Sequence, residues 1–201
     1  MERKREFPDW EKRYNDGAVE EMPWFYPVLD PDFDGALEQL GIESGRALDL
    51  GTGPETQAIA LARRGFQVTG IDISATAVKK AVTRGASEGV AVTFLHDDFL
   101  KGGLEGPFDV IFDRGCFHAF PPEQREEYVR RSATLLVPRG LLFLKCFSHK
   151  ETMEEGPYRF TPGQIEALFG KDYRVCSIVE TLFQGTLDPY PKALFSVLER
   201  R

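Results

Sequence analysis

The segment Ala47-Leu48-Asp49-Leu50-Gly51-Thr52-Gly53-Pro54-Glu55 decides the fold of this 201-residue chain. In it an apolar strand runs into an aspartate and a glycine turn, and a helical pattern begins a few residues later. A doubly wound α/β sheet uses this arrangement to bring its backbone close to a nucleotide-like ligand at the carboxyl end of the first strand. About twenty residues farther on, Val68-Thr69-Gly70-Ile71-Asp72 predicts a second strand that ends in a carboxylate, the spacing at which such folds bind ribose hydroxyls.

Strand-like and helix-like patterns alternate from residue 46 onward, which is typical of βαβ units. The unbroken apolar run Leu141–Leu144 predicts a central strand that is covered on both faces. The last two strand patterns, 174–183 and 193–199, leave no room for a crossover helix and therefore predict an antiparallel hairpin. We expect an α/β, Rossmann-like fold: a seven-stranded, mostly parallel sheet with a C-terminal antiparallel hairpin and helices on both faces.

Ser74 follows the second strand and predicts the N-cap of the next helix. The spacing of Val78 and Val82, one turn apart, predicts that both valines lie on the buried face of that helix.

The first 45 residues contain no strand pattern and are rich in aromatic residues. Trp10 and Tyr14 are one helical turn apart, and Trp24 follows in the same segment. One interpretation is a pair of helices packed on the sheet edge. The other is a lid over the ligand, because aromatic lids exclude water and stack on adenine. We favour the lid and expect residues 1–45 to form a helical lid segment on one domain that spans residues 46–201.

Composition and charge exclude several classes of protein. The net charge of −7 and a pI near 5.1 argue against a nucleic-acid partner. No apolar run approaches the length of a membrane span, and the N-terminus shows no secretory pattern. Cys116, Cys146 and Cys176 lie far apart without metal-ligand spacing, so we expect no metal site. Their small number suits a reducing compartment, and we expect a cytoplasmic protein.

The glycine turn departs from that of dinucleotide-binding proteins. Their pattern G-x-G-x-x-G needs a third glycine, and Thr56 stands at that position here. Glu55 would also point a carboxylate toward any pyrophosphate. S-adenosylmethionine has no phosphate, and it carries a cationic sulfonium and an ammonium group, so acidic neighbours suit it. Asp49 is a candidate to bind the ammonium, directly or through water.

Three segments of the chain resemble the class I S-adenosylmethionine-dependent methyltransferases. Residues 47–53 look like their first motif, residues 68–74 look like the strand that binds the ribose, and residues 92–99 are similar to the segment that binds adenine. The resemblance implies S-adenosylmethionine as the cofactor and S-adenosylhomocysteine as the product. It implies that Asp98 binds the adenine amine, with Asp97 as the alternative. The full set of expected cofactor-binding residues is Trp10, Tyr14, Asp49, Gly51, Thr52, Gly53, Asp72, Ile73, Asp97, Asp98 and Phe99.

A narrower resemblance is to the thiopurine and thiol methyltransferases, whose relatives include the halide/thiol and tellurite-resistance enzymes. Residues 108–122 look like their strand-four segment, residues 156–170 like a later segment, and residues 10–17 like the segment that covers the cofactor. This resemblance implies methyl transfer to a small-molecule acceptor, a thiol or another soft nucleophile. We expect a monomer or homodimer with no nucleic-acid or membrane partner.

The residues after strand four are the candidates for chemistry. Asp113 could orient the sulfonium or the acceptor, or it could cap the following turn. Arg114 could attract an anionic acceptor, as an arginine of this motif does in the thiopurine-type families, or it could form a surface ion pair. His118 is the candidate general base because its unperturbed pKa is near neutrality, or it could hydrogen-bond locally. Arg159 is a second candidate for anion contact, and Trp24 is expected to contact the substrate.

Two alternative functions stay open. One is an NAD-type oxidoreductase, which Thr56 and the terminal hairpin disfavour. The other is a non-catalytic protein that binds S-adenosylmethionine as a sensor or partner module.

Overall fold

The computed structural model describes residue 5, residues 7–54 and residues 56–201. The strands in this part of the chain are β1 (Gly45–Leu50), β2 (Phe66–Asp72), β3 (Val92–His96), β4 (Phe108–Arg114), β5 (Leu136–Ser148), β6 (Arg159–Phe160), β7 (Tyr173–Leu182) and β8 (Lys192–Arg200). The α-helices are α1 (Trp10–Asp16), α2 (Pro31–Leu40), α3 (Thr56–Arg63), α4 (Ala75–Ser87), α5 (Pro122–Leu135) and α6 (Pro162–Phe169). Two short 3-10 turns, Val19–Glu21 and Phe117–Ala119, complete the set.

The strands form one mixed sheet in the order β3-β2-β1-β4-β5-β8-β7. Strands β1 to β5 pair in parallel, and β8 pairs antiparallel with both β5 and β7. This topology confirms the expected Rossmann-like α/β fold with its terminal hairpin. The sheet has eight strands rather than the expected seven, because the two residues of β6 also pair with the end of β5.

The central strand β5 is covered on both faces, as its apolar run predicted. On one face Leu142 and Leu144 join a core that includes residues of α5 and α6. On the other face Phe143 packs edge-on against Phe112 of β4, with ring centroids 5.3 Å apart. It also packs at a tilted angle against Phe33 of α2. Burial of such aromatic side chains is a main source of stability in a domain of this size.

Helix α4 begins where it was predicted, but it buries a different face. The Ser74 hydroxyl accepts a hydrogen bond from the Ala77 amide at 3.0 Å, which confirms the N-cap. The buried positions are Ala77, Ala81 and Gly85, whereas Val82 is 52% exposed, so its expected burial is wrong. The physical reason is close packing: a Cβ on Gly85 would lie 3.3 Å from the Phe94 ring, so small residues must face the sheet.

The described part of the N-terminal segment contains α1, α2 and the 3-10 turn between them, and β1 is the first strand of the described chain. No helix in the described ranges combines the length and apolar character that a membrane span requires.

A buried group of charges joins this N-terminal segment to the sheet. Lys145 of β5 is fully buried, and its Nζ donates to both carboxylate oxygens of Asp30, at 2.7 and 2.8 Å, and to Gln184 Oε1 at 2.7 Å. Lys145 Nζ also lies 2.6 Å from Asp32 Oδ2, and Arg114 Nε donates to Asp30 Oδ2 at 2.7 Å. We call these five residues the Asp30 cluster. Two carboxylates face two cations, so its charges balance.

Replacing Lys145 with Met tests how much the fold depends on the Asp30 cluster. We expect the free energy of unfolding to fall by about 3–5 kcal/mol, because removal of one member leaves buried carboxylates without their cation. Urea denaturation followed by circular dichroism measures this loss.

The matched control is Arg130→Met, whose ion pair with Glu127 is exposed to solvent. We expect the control to change the unfolding free energy by less than about 1 kcal/mol. Equal losses in the two variants would contradict the importance given to the cluster.

Candidate active site at the carboxyl edge of the parallel strands

The glycine turn after β1 has the conformation that its sequence predicted. Gly51 and Gly53 adopt φ angles of +67° and +40°, a region that favours glycine. Between them the Thr52 amide donates to the Ile71 carbonyl at 2.8 Å, and the Thr52 hydroxyl donates to Asp49 Oδ2 at 2.6 Å. The turn is therefore fixed to the ends of β1 and β2. Glu55, whose carboxylate was expected to disfavour a pyrophosphate, lies outside the described residues.

Other parts of the chain approach this turn closely. A Cβ on Gly53 would lie 2.4 Å from the Tyr14 hydroxyl, and a Cβ on Gly51 would lie 3.1 Å from the Cβ of Cys116. Side chains larger than glycine would thus displace α1 or the turn after β4. The backbone of the turn therefore packs directly against those two elements.

Three carboxylates end the neighbouring strands β1, β2 and β4. Asp49, Asp72 and Asp113 are 3%, 7% and 0% exposed. Burial raises the pKa of Asp49 to about 6 and that of Asp113 to about 7, and it also raises the pKa of Asp72. Burial together with these acidic neighbours raises the pKa of the Cys116 thiol well above its usual value. Such a concentration of acid favours a cationic ligand and disfavours a pyrophosphate.

Asp72 is held in place by backbone donors. Its Oδ1 accepts from the Ser74 amide at 2.8 Å, and its Oδ2 accepts from the Gly53 amide at 3.0 Å. Each carboxylate oxygen keeps capacity for a second donor such as a ribose hydroxyl. The next residue, Ile73, is 54% exposed and offers an apolar surface beside the carboxylate. Carboxylate and apolar surface together suit a nucleoside.

The two aspartates after β3 accept hydrogen bonds from different parts of the backbone. Asp98 Oδ1 accepts from the Leu100 amide at 2.9 Å and caps the turn that follows. Asp97 Oδ2 accepts from the Leu104 amide at 2.9 Å, and its other oxygen faces Gly102, where a Cβ would overlap it. Phe99 is buried, with its ring centroid 5.1 Å from that of Tyr128. Asp97 is therefore turned toward the loop before β4.

Helix α1 lies over the start of α4 through a polar contact. The Glu11 carboxylate accepts hydrogen bonds from the Ser74 hydroxyl at 2.7 Å, the Thr76 hydroxyl at 2.5 Å and the Thr76 amide at 3.1 Å. These bonds lower the pKa of Glu11 to about 2. The carboxylate also lies at a helix N-terminus, where negative charge is favoured.

The aromatic residues of the N-terminal segment come together beside this contact. The Trp24 ring meets the Trp10 ring edge-on at 5.7 Å and the Tyr14 ring at 6.4 Å. Tyr14 is buried, and its hydroxyl packs directly against Gly53. The structure thus brings Trp10, Tyr14 and Trp24 to one side of the glycine turn.

Asp113 makes the contacts of a cap. Its Oδ1 accepts from the Cys116 amide at 2.7 Å, and its Oδ2 accepts from the Phe117 amide at 2.9 Å and from the Tyr128 hydroxyl at 2.5 Å. These bonds fix the 3-10 turn after β4, the second of the two roles considered for this residue.

Arg114 is buried and bonded to three other segments. Its side chain is 6% exposed, so it forms no surface ion pair. Besides Asp30, its guanidinium donates to the Trp24 carbonyl at 2.8 Å and the Gln184 carbonyl at 2.5 Å. It also lies over the Phe183 ring, 4.7 Å from the centroid. Its charge is satisfied within the protein.

His118 is 7% exposed and uses one ring nitrogen for the backbone. Its Nδ1 accepts from the Phe147 amide at 3.1 Å. Burial, with a contribution from the positive charge of Arg114, lowers the pKa of His118 to about 3, so the ring is neutral near pH 7. The rings of Phe147 and Phe183 flank it, with centroids at 5.0 and 5.6 Å.

Arg159 braces a loop. Its guanidinium donates to the Met153 carbonyl and to the Glu155 carbonyl, the latter at 3.1 Å. Both partners belong to the loop between β5 and β6, and the contacts of Arg159 are distinct from those of Arg114 and His118.

Five residues of this region were not predicted from the sequence: Asp30, Lys145, Phe147, Phe183 and Gln184. Only Lys145 carried a usable signal, since a lysine inside an apolar strand is a candidate for a buried ion pair.

The chain matches the family model described as thiopurine S-methyltransferase over residues 5–193. It is similar to the protein named probable thiol methyltransferase 2 of Arabidopsis thaliana, with 32% identity over 174 residues that cover 85% of this chain and 76% of the relative.

The solved structures that share its fold include two that show the extent of the match. One comes from work on the conversion of a disulfide bond into a thioacetal group during echinomycin biosynthesis; its TM-score is 0.82 at 23% identity, and the match covers 95% of this chain and 90% of that one. The other is the Burkholderia thailandensis 1,6-didemethyltoxoflavin-N1-methyltransferase with bound 1,6-didemethyltoxoflavin and S-adenosylhomocysteine, with a TM-score of 0.69 at 19% identity, covering 93% of this chain and 80% of that one.

Glu11→Ala tests the contact between α1 and α4. The chain has only two tryptophans, and both Trp10 and Trp24 belong to the aromatic group beside that contact. Loss of the Glu11 hydrogen bonds should loosen α1, and we expect acrylamide to quench tryptophan fluorescence more strongly in the variant.

The control is Glu21→Ala, an exposed position in the same segment, for which we expect quenching like that of the wild type. Unchanged quenching in Glu11→Ala would show that α1 does not depend on this carboxylate.

Proposed function

The chain belongs to the thiopurine S-methyltransferase family and is an S-adenosylmethionine-dependent methyltransferase of small molecules; from that premise we propose that its acceptor atom is a thiol sulfur or another soft nucleophile. Because the chain belongs to this family, the alternative function as an NAD-type oxidoreductase is rejected. A relative named as a thiol methyltransferase supports the proposal, and so does the chemistry of the acceptor side.

The observation that carries the proposal is the protonation state of the groups near the end of β4. A general base that serves near pH 7 needs a pKa near 7 and a free position for the proton. Burial keeps His118 neutral with a pKa of about 3, and burial keeps the Cys116 thiol protonated. Asp113 has a suitable pKa, but its oxygens already accept from two amides and the Tyr128 hydroxyl. Such a site suits an acceptor that is nucleophilic without help from a base, as thiolates and thiones are.

For the cofactor we propose contacts at the three strand ends. Asp49 would bind the methionyl ammonium, the turn Gly51-Thr52-Gly53 would lie along the methionyl part, and Asp72 would bind the ribose hydroxyls. Ile73 would flank the adenine and the Phe99 amide would face its ring. Asp98 would accept from the adenine amine, since Asp97 is turned toward Leu104. Trp10 and Tyr14 would cover the cofactor.

When bound, the cofactor supplies a methyl carbon activated by positive sulfur: the acceptor lone pair forms the new bond, and the electron pair of the old bond stays on the cofactor sulfur. The residues of the chain align and enclose the reactants, which can account for most of the acceleration of such a transfer. A thiol acceptor loses its proton to solvent before it enters. We propose that Arg114 and Trp24 shape the acceptor side, Arg114 through its bonds to Trp24 and Gln184 rather than by contact with an anion.

We further propose that the protein acts in the cytoplasm as a monomer or homodimer. The three cysteines are free thiols, as a reducing compartment maintains them, and the acidic charge disfavours nucleic acid.

The pH profile of turnover tests the proposed acceptor chemistry. If no group of the protein serves as the base, kcat/KM should rise with pH to a plateau whose midpoint follows the pKa of the acceptor thiol. Release of S-adenosylhomocysteine is measured with thiophenol and with benzyl thiol, which ionise at different pH values.

We expect the midpoint to lie lower for thiophenol, and we expect no turnover of benzyl alcohol, the oxygen counterpart of benzyl thiol. A shared midpoint near neutrality for both thiols would indicate a base in the protein. Cofactor binding without turnover of any acceptor would favour the non-catalytic alternative.

The pH dependence of cofactor binding tests the role of Asp49. Since burial raises the pKa of Asp49 to about 6, the carboxyl is mostly protonated at pH 5 and ionised at pH 7.5. A bound ammonium favours the ionised form, so affinity for S-adenosylhomocysteine should be about tenfold weaker at pH 5 than at pH 7.5. Calorimetry at the two pH values gives the ratio.

Two controls isolate this effect. 5′-Methylthioadenosine shares the ribose and adenine but lacks the ammonium, so its affinity should change little over the same range. Asp49→Asn should bind S-adenosylhomocysteine more weakly at pH 7.5 and lose the dependence. An equal pH dependence for both ligands would assign the titration to another group.

A further inference from the structure

His118 has one ring nitrogen whose role the fold explains and one whose role it does not. Nδ1 accepts a hydrogen bond from the Phe147 amide, so in the neutral ring the proton must lie on Nε2. Across residues 5, 7–54 and 56–201, no group accepts a hydrogen bond from this Nε2–H. On a side chain that is 7% exposed, this Nε2–H is therefore a donor that no group of the described chain occupies and that a ligand can reach.

The surroundings of Nε2 show where such an acceptor could come from. A Cβ on Gly115 would lie 3.0 Å from Nε2 and 2.9 Å from Cζ of Phe183. Gly115 has a φ of +95°, and its lack of a side chain leaves this nitrogen accessible from the end of β4. The same end of β4 adjoins Cys116, which reaches the glycine turn at Gly51. Nε2 therefore faces the side from which an acceptor would approach the cofactor.

The walls around Nε2 are aromatic and carry no free charge. Phe147 lies edge-on to the imidazole, and Phe183 is stacked on it. Trp24 packs against the apolar cluster that contains these two phenylalanines. The cation Arg114 is paired with Asp30. An electron-rich atom on an apolar molecule would find here one directed donor within an apolar enclosure.

We propose that His118 binds the methyl acceptor by donating its Nε2–H to the reacting sulfur, which enters as a thiolate or a thione. This inference rests on the proposed function and deepens it, because it selects acceptors whose sulfur is already free of a proton. The hydrogen bond directs the sulfur and leaves its remaining lone pairs for attack. A nitrogen that already carries a proton does not take one from the acceptor, so this role replaces that of general base.

Two substitutions separate the functions of the two ring nitrogens. His118→Asn keeps an oxygen near the position of Nδ1, which can accept from the Phe147 amide, but it removes the Nε2 donor. His118→Gln places an amide N–H near the position of Nε2 and cannot act as a base. The control is His149→Gln, an exposed histidine outside the site.

Kinetics with thiophenol and calorimetry with S-adenosylhomocysteine provide the first readout. We expect His118→Asn to lower kcat/KM by roughly tenfold or more, the scale of a hydrogen bond to a charged atom, with unchanged affinity for S-adenosylhomocysteine. His118→Gln should recover most of the activity, and His149→Gln should match the wild type. Full activity of His118→Asn, or equal loss in His118→Gln and His118→Asn, would overturn the proposal.

A second readout does not depend on turnover. In the complex with S-adenosylhomocysteine, the nitrogen resonance of His118 Nε2, identified by its absence in His118→Asn, should shift when thiophenolate is added. A shift without turnover in the wild type would contradict the proposed function and leave the donor role standing. No shift would overturn the donor role even in an active enzyme.

Discussion

The buried contact between Asp30, Lys145 and Arg114 is the constraint on which the rest of the site depends. Two cations of the sheet, one at the end of β4 and one within β5, share a carboxylate at the N-cap of α2. Buried charges are tolerated only when they are paired and hydrogen-bonded, so these residues must meet for the chain to fold. Their meeting fixes the N-terminal segment against the carboxyl edge of the strands, where the glycine turn lies.

This pairing also determines how charge is distributed between the two sides of the site. Both cations, Lys145 and Arg114, form ion pairs with carboxylates of the N-terminal segment. The carboxylates of Asp49 and Asp72 lie at the glycine turn, and no basic side chain of the described chain is bonded to them. The proposed cofactor side is therefore acidic, and the proposed acceptor side is aromatic and neutral. A sulfonium cofactor and an uncharged or soft acceptor match the two halves, and a phosphate-bearing ligand would match neither.

The sequence predicted what local periodicity and short motifs determine. The strands, the Ser74 cap and the glycine turn depend on residues that are close in the chain, and these predictions are confirmed. The role of Arg114 depends on Asp30, 84 residues away, and that of Lys145 on the same aspartate, 115 residues away. No spacing rule connects residues so far apart in the chain. Strand β6 was not predicted because a strand of two residues is too short to show an alternating pattern of apolar and polar residues. The predicted burial of Val82 was wrong because its helix packs against the sheet through alanine and glycine. The hydrophobic pattern of a sequence does not show where close packing requires such small residues.

The N-terminal segment that carries Trp24 and the proposed acceptor pocket share one set of contacts, so they must form together. Arg114 bonds the carbonyls of Trp24 and Gln184, and its guanidinium lies on the Phe183 ring, which is stacked on His118. If the segment that carries Trp24 moves, the pocket loses a wall and Arg114 loses a partner at the same time. Since a buried guanidinium with an unpaired donor is costly, an arrangement with the cover displaced and the pocket intact is disfavoured. In the proposed site, enclosure of the cofactor and assembly of the pocket around His118 would then be a single structural event. It would keep the activated methyl group from water until an acceptor can be held in line with it.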